Sequence, residues 1–200
     1  MKVAILDYGT GNVRTLKRAL EEGGAEVTLE SDPTVAAGAD ALVLPDAGGL
    51  GALATHVGGA APALRATLVG GLPCLAIGAG MHFLFETDSA GGTGLGMVRG
   101  SIARLTTRRS PHMGWNRVDA AGAGARELLE EVVPTDFYFA HGSVAEPADS
   151  EAVRGRTVHE GVQIPAIVRS ARTWGVQFRP EKSSGAGLRL IRNFLQTIGA

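Results

Sequence analysis

The chain has 200 residues and nearly balanced charge, 19 Lys+Arg against 20 Asp+Glu for a net of −1, which argues against the strongly basic footprint of a nucleic-acid-binding domain. Its hydrophobic residues, 44% of the total, fall in short runs that never reach the ~18 residues of a membrane span. The single cysteine, Cys74, excludes an internal disulfide and any multi-cysteine metal site.

In chain order, MKVAILDYGTGN carries one Lys and a strand-like run broken by Asp7 rather than the apolar segment and cleavage site of a signal peptide, so a cytoplasmic protein is expected. Lys2–Asp7 reads as a buried strand. Val13, Leu16, Ala19 and Leu20 then repeat at helical spacing up to Gly23-Gly24. Ala25–Glu30 and Ala39–Leu44 are the next strands, followed by the glycine-rich loop PDAGGLG. Residues 50–70 are helical in pattern, with Pro62 a candidate helix start. Pro73–Ile77 is a short apolar strand, Gly78-Ala79-Gly80 a tight turn, and MHFLFE (81–86) continues as a helix. This alternation implies an α/β fold: a mostly parallel, Rossmann-like sheet with helices on both faces.

The C-terminal half changes character. Met97–Leu105, Trp115–Asp119, Thr135–Ala140, Ala152–His159, Gln163–Arg169 and Thr173–Phe178 read as strands, with HEG and RSAR at hairpin turns. These strands are expected as antiparallel additions to the main sheet or as a small flanking sheet. Gly185–Ile198 closes the chain as an amphipathic helix with Leu188, Ile191, Phe194 and Leu195 on one face, expected to pack back on the first half. No linker or repeat interrupts this series, so one domain over 1–200 is expected. The five histidines show no close metal-ligand spacing, and the reading calls for no metal or cofactor.

The most informative segment is the strand, turn and helix at 73–86. A strand that enters a small-x-Z-x-Gly turn and leaves as a helix is a nucleophile elbow, with residue Z presented at the tip of the sheet. Here the segment is Ala76-Ile77-Gly78-Ala79-Gly80, so Z is Gly78, which has no side chain to attack anything.

The sequence resembles the class I (triad) glutamine amidotransferases, and within them the HisH family of glutaminase subunits of imidazole glycerol phosphate synthase, in histidine biosynthesis. The resemblance covers nearly the whole chain and is carried by DYGTGN (7–12), LPDAGGLG (44–51), the elbow with MHFLFE, GLGMVRG (94–100), PHMGWN (111–116), FYFAHGS (137–143), GVQFRPEKS (175–183) and GLRLIRNFL (187–195). It implies a cysteine thiolate that attacks the glutamine side-chain amide, a histidine that relays the proton, a glutamate that orients the histidine, and backbone N–H groups for the oxyanion. It also implies passage of the ammonia to a barrel-type cyclase partner.

Position by position, the family's cysteine falls on Gly78, its histidine on Arg179, and its glutamate on Glu181, the one match. A guanidinium stays protonated and cannot serve as a base. Oxyanion and substrate positions fall on Asp46, Ala47, Gly48, Ala79, His82, His141 and Gly142; Asp46 stands where the family carries glycine and His82 where it carries Gln. Arg179 and Glu181, two apart, would share a strand face and pair; Asp46 is a second possible partner for Arg179, and solvent is a third destination. Rescue by Cys74 is disfavoured, since four strand residues span roughly 13 Å. For His141, local hydrogen bonds at a strand end are favoured over a role as base. The resemblance places Gly11, Asn12, Met113, Trp115, Asn116, Tyr138 and Lys182 at the cyclase interface.

Three functions stay open: a docking or regulatory subunit of the cyclase without glutaminase activity, a working glutaminase subunit with divergent chemistry, and a non-enzymatic anion-binding protein. No nucleic-acid or membrane partner is expected.

Overall fold

The computed structural model describes residues 1–9, 13–46, 48–121 and 124–199. Its elements run β1 (Lys2–Leu6), α1 (Val13–Glu22), β2 (Glu26–Glu30), α2 (Pro33–Ala36), β3 (Ala41–Leu44), α3 (Gly49–Val57), α4 (Ala61–Val69), β4 (Cys74–Ile77) and α5 (Ala79–Phe83). They continue with β5 (Thr87–Asp88), β6 (Gly100–Arg104), β7 (His112–Arg117), β8 (Asp119–Ala120), α6 (Ala125–Leu129), β9 (Asp136–His141), β10 (Ser143–Pro147), β11 (Val153–His159), β12 (Val162–Ser170), β13 (Thr173–Val176) and α7 (Ser184–Gln196).

The main sheet has the order β2-β1-β3-β4-β13-β12-β11-β8. Its first five strands are parallel, and β12, β11 and β8 join antiparallel. Two smaller assemblies flank it, β10-β6-β5 and the antiparallel pair β7-β9. The expected α/β class is therefore observed, and the C-terminal strands do both things anticipated: some extend the sheet and some stand beside it. The central strands β1, β3, β4 and β13 are buried at nearly every residue, as expected where helices cover both faces of a parallel sheet.

One face holds α1 and α7 against the sheet. Leu16 and Leu20 share a core with Leu190, Ile191, Phe194 and Leu195, so the last helix does return to the first half. The other face buries Leu53, Leu64, Leu68, Met81 and Phe83.

Several boundaries differ from the sequence reading. The helix expected through MHFLFE stops at Phe83, because the chain folds back and Leu95, Met97 and Gly96 donate their N–H groups to the carbonyls of Phe83, Leu84 and Phe85. The strand expected over Met97–Leu105 is confined to Gly100–Arg104, and the one over Thr173–Phe178 ends at Val176. Strand β10 is not announced by the sequence, since SVAEP lacks a clear apolar run. Helix α2, equally unannounced, is four residues long and is capped by the Asp32 carboxylate, which accepts the N–H groups of Thr34 and Val35.

Candidate functional site

Three segments meet at the C-terminal ends of the parallel strands, where open α/β sheets place their ligand sites. Strand β4 delivers Gly78 at φ +52, ψ −109, directly before α5. The Gly78 N–H donates to the Val176 carbonyl at 2.8 Å, tying the bend to β13. Because β3 lies parallel beside β4, with Leu44 opposite Ala76, the loop after β3 brings Asp46 over the bend. The segment after β13 contributes Arg179.

Asp46 connects all of these. Its Oδ1 accepts the Ala79 N–H at 2.9 Å. Its Oδ2 accepts from Arg179 Nε at 2.7 Å and lies 2.5 Å from Nη2, a fork of charge-assisted bonds. The two side chains are 18% and 26% exposed, sheltered enough for this pair to persist better than a surface ion pair. A Cβ placed on Gly78 would lie 2.3 Å from both Cγ and Oδ1 of Asp46, far inside van der Waals contact. The carboxylate thus occupies the volume that a side chain at the elbow would need.

The expected Arg179–Glu181 pairing is corrected. With β13 ending at Val176, Pro180–Lys182 forms a 3-10 turn rather than more strand, so the two residues do not share a strand face, and Arg179 turns to Asp46. Nor does Arg179 point freely into solvent. Glu181 keeps one buried oxygen, Oε2, without a hydrogen-bond partner among the described residues. Burial pushes its carboxyl up, against opposing effects of a backbone hydrogen bond and the Arg179 charge.

An open cleft of about 480 Å³ adjoins the bend; it is lined by Gly48, His82 and Ser143, among others, and by the loop Asp88–Gly92. Sequence reasoning missed that loop, although Asp88 followed by small residues is a turn signal. Its Oδ1 accepts the N–H groups of Ala90 and Gly92 at 2.9 and 2.7 Å. His82 is buried and pairs through Nε2 with Gln177 Oε1 at 2.8 Å. Burial pushes its imidazole down, against the Gln177 bond and the Asp46 charge. Cys74 is fully buried in β4, and that burial pushes its thiol up, away from the thiolate a nucleophile needs. Ala47 lies outside the described residues.

His141 is held locally. Its Nδ1–H donates to the Ser143 carbonyl at 2.8 Å, which leaves Nε2 to accept from His112 Nδ1–H at 3.0 Å. His112 stacks between Phe139 and His159, and His159 Nε2 contacts the Arg109 carbonyl at 2.8 Å. The Gly142 carbonyl accepts from the Leu105 N–H. This histidine trio is not legible as a unit in the sequence, since its members are far apart in the chain. Burial and the neighbouring imidazoles push His112 down to about 4, and burial does the same for His141. Both groups bind protons more readily unfolded, where their value is near 6.5. The stability tied to their neutrality is therefore complete above about pH 6.5 and is lost as pH falls toward 4. Urea unfolding is expected to show a loss on the order of 3 kcal/mol between pH 7 and pH 4.5; a flat profile there would contradict the buried neutral pair.

The side chains assigned to a partner divide into two groups. Met113 and Trp115 stand 64% and 55% exposed on the outer face of β7, and Tyr138 lies opposite Trp115 on β9 with the rings edge to face at 6.3 Å. Lys182 is also exposed. Asn116 is on the inner face instead, because alternate residues of a strand face opposite ways. Its Nδ2 donates to the Val158 carbonyl at 2.8 Å, and its position stitches β7 to β11. Gly11 and Asn12 lie outside the described residues. Strand β9 also touches the site directly, since the Arg179 N–H donates to the Tyr138 carbonyl at 2.9 Å.

Among the described residues no cluster of His, Cys, Asp and Glu could hold a metal ion, and no helix is long and apolar enough to cross a membrane. Residues 4–198 match the glutamine amidotransferase class-I family. The chain is 37% identical over 201 residues to the imidazole glycerol phosphate synthase subunit HisH of Methanothermobacter thermautotrophicus, covering 99% of this chain and 100% of that one. It is also 37% identical to the HisH subunit of Moorella thermoacetica, covering 96% and 93%. Among solved structures it is similar to a glutamine amidotransferase, with TM-score 0.75 and 19% identity over 100% of this chain and 99% of the other. It is also similar to PurLQS from Thermotoga maritima, with TM-score 0.70 and 16% identity over 98% of each.

Proposed function

The chain belongs to the glutamine amidotransferase class-I family, and from that premise we propose that it is a HisH-type subunit of imidazole glycerol phosphate synthase that hydrolyses no glutamine and serves the cyclase as a docking or regulatory partner. Its relatives' names support the place in histidine biosynthesis. The observation that carries the rest is the Asp46 carboxylate, seated against the elbow amide and clamped by Arg179.

Amide hydrolysis at such a site has three requirements. A nucleophile must project from the elbow, and Gly78 projects nothing. A base must take its proton, and a guanidinium has no lone pair to offer. A backbone N–H must be free for the oxyanion, but that of Ala79 already donates to a carboxylate, whose charge would repel the oxyanion. Loss of the nucleophile or base alone typically costs on the order of 10^6 in kcat, and the two act as a unit. Glu181, which resembles the family's orienting glutamate, has no imidazole to orient. The anion-binding reading loses its cation for the same reason, because Arg179 is already neutralised by Asp46.

On this reading the chain is a pseudoenzyme acting as one domain over residues 1–200. It works in the cytoplasm as a heterodimer with the cyclase, and the cyclase uses free ammonium. The test is direct: the purified pair, supplied with glutamine, is expected to release no more ammonia than the cyclase alone, while ammonium salts sustain cyclisation. Ammonia above that blank would end the proposal.

A further inference from the structure

Between Ser89 and Val118 the chain carries five arginines (Arg99, Arg104, Arg108, Arg109 and Arg117) and no Asp or Glu. The fold sorts these charges. Arg117 is answered by Asp119 at 3.7 Å, and Asp136 stands opposite it in the β7–β9 register. Arg99 precedes β6 and lies at its far end. The rest gather on the shoulder between β6 and β7. There Arg109, 87% exposed, is answered only loosely by Glu160 at 3.8 Å, and Arg104 and Arg108 are exposed with no carboxylate within 4 Å among the described residues.

This shoulder is anchored. Ser110 Oγ donates back to the Leu105 carbonyl, the Arg109 N–H donates to Glu160, and its carbonyl meets His159. It leads directly into β7, whose outer face carries Met113 and Trp115. An anchored positive shoulder thus runs in the chain straight into a strand that bears an exposed aromatic and thioether patch.

We infer that the docking face has two parts, an apolar anchor of Met113, Trp115 and Tyr138 and a cationic shoulder of Arg104, Arg108 and Arg109, and that it fits a partner surface whose hydrophobic socket is bordered on one side by carboxylates. This rests on the docking reading above and adds the chemistry of the partner. The parts have separate kinetic roles: exposed rim charges speed encounter and are screened by salt, whereas buried aromatic anchors govern dissociation.

The experiment is association of the full chain with the cyclase subunit of the same organism, followed by biolayer interferometry at 50 and 300 mM NaCl. The association rate is expected to fall about tenfold over that range. The triple variant Arg104→Glu/Arg108→Glu/Arg109→Glu should show the slow rate already at 50 mM. Trp115→Ala should instead speed dissociation at least tenfold and leave the salt slope unchanged. A wild-type association rate indifferent to salt, or a folded triple variant that docks like wild type, overturns the two-part face while the docking reading stands. If wild type forms no complex even at 50 mM salt and high concentration, the docking reading falls, and this inference with it. The wild-type salt series needs no variant, so poor folding of the triple variant leaves the test intact.

Discussion

Gly78→Cys, alone or combined with Arg179→His, is expected to release no measurable ammonia from glutamine; activity should appear only when Asp46→Gly is added. The reason is spatial. A Cβ at residue 78 overlaps the Asp46 carboxylate at 2.3 Å, so a cysteine there must displace the carboxylate or be pushed out of line. Even if it fitted, its thiol would lie beside that carboxylate, which disfavours the thiolate, and Ala79 N–H would still be engaged. Removing the Asp46 side chain frees both the volume and the donor, and the imidazole introduced by Arg179→His could then meet Glu181, whose Oε2 is unpartnered. Ammonia release by the triple variant in complex with the cyclase should exceed wild type by at least about 10^3, a fraction of the 10^6 a complete triad commands. Equal activity in the single Gly78→Cys variant would show that Asp46 does not block the site.

The second large effect is on stability. Gly80→Ala is expected to destabilise the protein by about 3 kcal/mol or more, as overpacking against backbone does. A Cβ there would fall 2.3 Å from the Leu44 carbonyl oxygen and 2.8 Å from its carbon. Backbone cannot swing aside as a side chain can, so α5 would have to lift off β3. Gly80 is buried inside α5 and contributes no side-chain contact that alanine would lose, so steric overlap is the destabilising effect, and it outweighs the up to about 1 kcal/mol that alanine's helix preference returns. Urea midpoints of the two proteins measure it, and a difference below about 1 kcal/mol would mean that the helix has room to move.

The parallel half of the fold is legible because β1, β3 and β4 are short apolar runs, each followed by a glycine-bearing loop and then a helical stretch, as in Pro73–Phe83. The antiparallel half is less so. Strand β10 ends in proline and has little alternation, and the end of MHFLFE is decided by hydrogen bonds from residues 95–97, which no local pattern announces. That the elbow residue is Gly78 and that residue 179 is Arg is readable from residue identity alone. The role of Asp46 is not. Its charge is visible, but its contact with Ala79 depends on β3 lying directly beside β4, and strand order is not written in periodicity. The partner of Arg179 stays open in the sequence for a related reason: β13 ends at Val176, three residues before Arg179, and Pro180–Lys182 forms a 3-10 turn rather than more strand.

Asp46 and Gly78 contend for one volume, and this fixes the order in which a lineage could retrace its steps. A first reversion at residue 78 meets steric overlap. One at residue 46 strips Arg179 of its counter-charge. One at residue 179 leaves a sheltered carboxylate without its clamp. Each first step costs stability and returns no catalysis, so selection has nothing to favour until all three changes coincide. On the proposed reading, inactivity at this site is guarded by a ratchet that steers descendants of the chain toward new uses of the scaffold rather than back to hydrolysis.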